Sequence, residues 1–187
     1  MRVLDYEGLR RLLIRSLEDA GLLVKVDEVL YVNELARVCE VFIQRPLDYE
    51  ATWAKVAFEW RPENQATVNS VEDGGQTAAP EGVILHAAFH LHFDDLEVDS
   101  DVIREVTDSI LSHATRLFGD SGAMVAELRM VSTGARIECL RYEVDVEAPH
   151  GGASVEWWHT WGAMCASLLN HFDDIHAELY SRYGPTA

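Results

Sequence analysis

The chain has 187 residues, 48% hydrophobic and 25% charged, and its 32 acidic against 15 basic side chains give a formal net charge of −17. A length of this order buries a proper core as a single domain, expected to span 1–187. The negative balance repels phosphate backbones and anionic lipid, which sets nucleic acid and membranes aside as partners and favours a protein partner with a basic surface.

The first element predicted is a helix from about Tyr6 to Ala20. Asp5 stands as its N-cap and Gly21 as the residue that ends it, while Leu9, Leu12, Leu13 and Leu17 form one stripe opposite Arg10, Arg11, Arg15 and Glu18. The period then changes to two. "LLVKV" and "VLYV", between 22 and 33, are short and weakly patterned strand pieces. "LARVCEVFIQ" (Leu35–Gln44) is a clearer strand that stops before Pro46. "ATWAKVAFEW" (Ala51–Trp60) puts Ala54, Val56, Phe58 and Trp60 on one face and stops at Pro62. The polar segment 62–82, with Gly74-Gly75 in its middle, reads as a mobile hairpin loop. A strand follows over "VILHAAFHLHF", Val83–Phe93. A second helix runs from about Val102 to Phe118, capped by Asp99 and Ser100 and ended by Gly119, with Ile103, Val106, Ile110, Ala114 and Leu117 on its apolar stripe. Strands at about Ala123–Ser132 and Ala135–Glu147 are joined by a tight "STG" turn. One long helix, about Val155 to Arg182, closes the chain. The order α-βββ-α-ββ-α predicts the α+β class: an antiparallel sheet with three helices packed on it, where a parallel sheet would need strict alternation of strand and helix.

Candidate chemistry lies first in the 83–93 strand. Val83, Leu85, Ala87, Phe89, Leu91 and Phe93 share one face; Ile84, His86, Ala88, His90, His92 and Asp94 share the other. His90 and His92, at i and i+2, are placed to offer two imidazoles to one metal ion. Asp94 is on their side and His86 lies too far along the face to join them. A catalytic zinc or iron site needs about three protein ligands in a small volume, so the expectation is no bound metal and no cofactor; were there one, its ligands would come from His90, His92, His86 and Asp94. Cys39, Cys139 and Cys165 are odd in number and far apart, without a CxxC spacing. That argues against a disulfide framework or a thiolate metal site, and for a reducing, cytoplasmic setting. Asp5 and Glu7 stand where a signal peptide needs an apolar run, and the longest uncharged stretch, Trp157–Phe172, is too short for a bilayer span. The excess of arginine over lysine points to a GC-rich bacterial genome.

The last helix carries a second polar cluster, "NHFDDIHAE", with His171, Asp174 and Glu178 on one face and Asp173 and His176 also one turn apart. This reads as a solvated surface, since its spacing matches no metalloenzyme motif. No serine lies in a GxSxG turn, and the glycines of "HGGASVEWW" serve to turn the chain into the helix. Trp158, Trp161, Cys165, Leu168, Phe172, Ile175 and Leu179 follow in steps of three and four. The stripe is longer than one small sheet needs, which predicts a homodimer through the apolar surface of the long helices. Trp157, Trp158, Trp161, Asp173, Asp174 and Glu178 are the candidate partner-binding residues, and of the adjacent tryptophans only one can face inward.

The opening "LRRLLIRSLEDAGLLVKVDE", the middle "DVIREVTDSILSHATRLFG", the hairpin "MVAELRMVSTGARIECLRYEVDV" and the closing "LLNHFDDIHAEL" together resemble, in element order and texture, the type III secretion chaperone fold and the related YbjN-type bacterial domains. The resemblance implies a non-enzymatic module, dimeric or binding, that holds an extended segment of a client partly by adding a strand to its sheet. The expected function is accordingly a chaperone-like protein-binding module. The alternatives are an immunity protein that neutralises a basic toxin, and a metal-dependent enzyme built on the strand histidines.

Overall fold

A computed structural model describes residues 4–31, 36–46, 51–65, 82–94, 96–121, 123–134, 136–148 and 155–185. The elements are α1 (Tyr6–Asp19), β1 (Leu23–Tyr31), β2 (Arg37–Gln44), β3 (Thr52–Trp60), a single helical turn α2 (62–65), β4 (Val83–His92), α3 (Ser100–Phe118), β5 (Ala123–Thr133), β6 (Arg136–Ala148) and α4 (Val155–Tyr183). The class is α+β, as the patterning predicts. The strands form one antiparallel sheet in the order β1-β2-β3-β4-β6-β5. Four strands run as a meander, α3 carries the chain across, and the β5–β6 hairpin returns with β6 inside and β5 at the edge. Side-chain chemistry explains that order. β6 brings Leu140, Tyr142, Val144, Val146 and Ala148 to one face, all buried, whereas β5 offers on that side only Ala126, Leu128 and Met130, beside Val144, Tyr142 and Leu140, and carries Val125 and Val131 on the other.

Helices α1, α3 and α4 lie on one face of the sheet. Leu9, Leu13 and Leu17 of α1, Ile103, Ile110, Ala114 and Phe118 of α3, and Trp158, Trp161, Cys165, Leu168 and Phe172 of α4 pack on Val41, Ile43, Val56, Phe58, Leu85, Phe89, Leu91, Tyr142 and Val144. Local signals set the helix ends. The Asp5 carboxylate accepts from the Gly8 amide at 2.7 Å, and Asp99 accepts from the Asp101 and Val102 amides at 3.0 Å each; both satisfy orphan N–H groups of a first turn. Gly21 takes the left-handed conformation after α1 and Gly134 takes it in the β5–β6 turn, with φ of 82° and 66°. Helices α1 and α4 cross closely at Gly162, where an added Cβ would collide with the backbone carbonyl of Ser16.

Several expectations change. The two pieces near 22–33 form one strand, β1, with a register shift between Val24 and Val26 that breaks the alternation. Residues 62–65 form a fourth helix, and the remainder of the expected loop, 66–81, lies outside the described residues, as do Gly151 and Gly152. On α3, Phe118 is buried where Leu117 was expected, and Leu117 packs at the margin. The stripe on α4 is consumed inside the chain: Trp158 is 2% exposed and Trp161 0%. These two therefore build the core and offer no partner surface. Asp173, 6% exposed, is likewise internal. Its carboxylate accepts from the Thr52 hydroxyl and from Arg45, the latter at 3.1 Å, and so ties α4 to the start of β3. Among the described residues no helix is long and apolar enough to cross a membrane.

Candidate functional site

The sheet face away from the helices has a different composition. Cross-strand registers bring the strand histidines beside specific partners: His92 opposite Cys139, His90 opposite Arg141 on one side and Trp53 on the other, Ala88 opposite Glu143 and Lys55, and His86 opposite Asp145 and Ala57. The period-two reading of β4 holds. Val83, Leu85, Phe89 and Leu91 are buried under the helices, while His86, His90 and His92 turn to this other face.

His86 is held by a hydrogen bond to Asp145, its Nδ1 lying 2.6 Å from Oδ1. Lys55 pairs with Glu40 at 3.1 Å, and Arg141 pairs with Glu143, which Arg129 of β5 also approaches at 3.5 Å. Acidic and basic side chains therefore neutralise one another along the middle of the face.

At one end lies a compact group. The Trp53 indole stacks on the His90 imidazole with centroids 3.9 Å apart and planes 8° from parallel. The rings of His90 and His92 are 6.0 Å apart and near parallel. Cys139 Sγ lies 3.8 Å from His90 Nδ1, and one donor atom from each of His90, His92 and Cys139 falls within 4.8 Å of the others. His92 Nε2 is buried and has no hydrogen-bond partner among the described residues. Burial, reinforced by Arg141, His92 and Lys55, lowers the His90 pKa to about 4, so the ring is neutral near pH 7. Burial pushes the Cys139 thiol up to about 11.

The structure brings together His90 and His92, as their spacing predicts, and leaves His86 and the exposed Asp94 out of the group. It adds Cys139, which sequence spacing argued against as a ligand. The cysteine is 49 residues from His90 in the chain and becomes its neighbour only because β6, not β5, pairs with β4. A sequence signal for it would need the strand order first.

The polar cluster of α4 disperses. His171 faces α3, with Nε2 3.0 Å from Ser109 Oγ and its ring stacked on His113 at 4.3 Å. Asp173 faces the sheet, and His176 is buried. Asp174 and Glu178 are exposed, Glu178 pairing with Arg182 along the helix. Trp157 is half-buried and lies across Trp158 and Trp161. None of these meets the strand histidines, because α4 covers the opposite face of the sheet.

A second surface escaped the sequence reading. Nine of the eleven residues of β5 are exposed, without alternation. Met124 is 62% exposed, Val125 53%, Met130 62% and Val131 43%. Beside it a groove of about 280 Å³ runs between β5 and α3, lined by Ser100, Ile103, Arg104, Thr107, Met130 and Ile137. The signal in "AMVAELRMVST" is that its apolar residues fall on both faces. Comparison of the chain with protein-family models, curated proteins and solved structures gives no match.

Proposed function

We propose that this chain is a non-catalytic protein-binding module that holds an extended, basic or amphipathic segment of a partner beside β5, as the chaperone-like proteins it resembles hold a client. The observation that supports this reading is the character of the β5 edge. A terminal strand offers a row of unpaired N–H and C=O groups, and proteins ordinarily blunt such edges or cover them. Here the regular register from Val125 to Val131 lies between two shifts, and the strand carries exposed methionine and valine on both faces. The other edge differs. β1 also exposes Leu23, Val26 and Leu30, but its Val24 and Val29 pack on the core and α1 anchors it through the Arg10–Asp27 ion pair.

A strand added to β5 gains main-chain hydrogen bonds, and its alternate side chains enter the α3–β5 groove. The formal charge of −17 attracts a basic segment and opposes a second copy of this chain. The dimer expected through α4 loses its basis, because the stripe that suggested it is internal.

The test is photo-crosslinking in the native host with a photo-reactive phenylalanine analogue at Met130, and with the same analogue at Leu30 on β1 as control. The reading expects adducts at Met130 that map to one short extended segment of a different protein. Adducts only at Leu30, or only to a second copy of this chain, contradict it.

A further inference from the structure

We propose that His90, His92 and Cys139 form a three-ligand site for a zinc ion. Two neighbouring strands in the middle of a six-stranded sheet supply the donors, so the backbone that carries them is among the most constrained in the fold. The i, i+2 spacing puts both imidazoles on one face, and the β4–β6 register puts the thiol directly opposite His92. Donor atoms within 4.8 Å of one another are close to the separations in a tetrahedral site, roughly 3.3–3.6 Å for Zn–N and Zn–S bonds of normal length. The Cys139–His90 distance of 3.8 Å is nearly there, and small side-chain rotations close the rest.

The donor set selects the metal class. Two imidazoles and a thiolate, with no carboxylate, suit a borderline or soft ion and not calcium or magnesium. The buried His92 Nε2 is the independent sign of a missing partner. A polar atom buried without a hydrogen bond is costly, and a metal ion held at that nitrogen would remove the penalty. The Trp53 indole shields one side of His90 from water. Neighbouring cations do not bar a metal, because Arg141 and Lys55 are each paired with a carboxylate. On binding, the six-coordinate aqua ion gives up all but one of its waters as the two imidazole nitrogens and the sulfur bind and coordination contracts to four. Cys139 gives its thiol proton to solvent, one proton per zinc. Three protein ligands leave a fourth position for water or an incoming group. The site does not depend on the partner-binding reading and is tested separately from it.

The experiment is titration of the reduced, chelator-stripped protein with zinc, followed by cobalt(II) substitution. The expected result is one zinc per chain, and a cobalt derivative with a thiolate-to-metal charge-transfer band in the near ultraviolet. Cys139→Ser should abolish that band. His92→Gln should weaken zinc by more than the roughly 10–100-fold that loss of a supporting outer hydrogen bond costs. His86→Gln should change neither. The wild-type spectrum keeps the test decisive should a variant misfold. No zinc uptake by the folded wild type, a cobalt derivative without the thiolate band, or a band retained in Cys139→Ser would each overturn the proposal.

Discussion

The two faces of this sheet are made by the same strands under opposite rules. Along β4, Phe89 is fully buried beneath α3 and α4, and its neighbour His90 turns the other way to stack on Trp53. The covered face is bought by apolar area: buried side chains from three helices and four strands interlock, and each contributes about 1.5–3 kcal/mol by leaving water. The other face is assembled from polar pairs such as His86–Asp145 and Lys55–Glu40, exposed or partly exposed, where such contacts contribute little to stability. The first face is therefore where mutations unfold the protein. The second, with the β5 edge, is where they can alter binding while leaving the fold intact.

The sharpest break between the faces is expected at those two adjacent residues. Phe89→Ala should cost about 3–5 kcal/mol, by loss of burial and the cavity left behind, and His90→Ala within about 1 kcal/mol, both read from denaturant midpoints. Equal losses would mean that the open face is also core. A smaller contrast of the same kind separates two neighbouring aspartates on α4. Asp173→Ala strands the buried Thr52 hydroxyl and Arg45 and should cost about 1–3 kcal/mol. Asp174→Ala, at an exposed position, should stay within about 0.5 kcal/mol.

The open face also has a pH signature. His90 titrates near 4 in the folded chain, below the ordinary histidine value of 6.5, chiefly because it is buried. The unfolded chain then binds the extra proton first, so this residue's contribution is complete above about pH 6.5 and is lost as pH falls toward 4. Its size is on the order of 1–3 kcal/mol. His113 and His176 are shifted in the same direction by burial and remain in any His90 variant. In chelator, unfolding curves of His90→Gln should therefore show a shallower, not absent, loss of stability between pH 6.5 and 4. An unchanged slope would contradict the burial of the ring.

Most of the covered face is legible in the sequence, because burial leaves a period. The helical stripe of α1, the alternation in β3 and β4, and the caps at Asp5 and Asp99 all read out correctly. Legibility fails where structure depends on strand order or on partial cover. In β1 a register shift hides the alternation. On α4 the stripe is as long as a dimer seam, yet α1 and the sheet consume it, with Gly162 letting α1 approach. Asp173 resembles a surface acid until its fixed partners, one of them 121 residues away, come into view. Cys139 joins the histidines only once β6 lies beside β4. The alternation over Ala126–Met130 is short and says nothing of cover, since what marks the β5 edge is exposure on both faces.

The most direct measurement of the partner-binding reading is amide hydrogen exchange on the complex recovered through the Met130 crosslink site, prepared without the crosslink, against the free chain. New protection is expected over Val125–Val131, with exchange in β1 unchanged. Protection confined to β1 or to the exposed face of α4, with β5 exchanging as in the free protein, would contradict it.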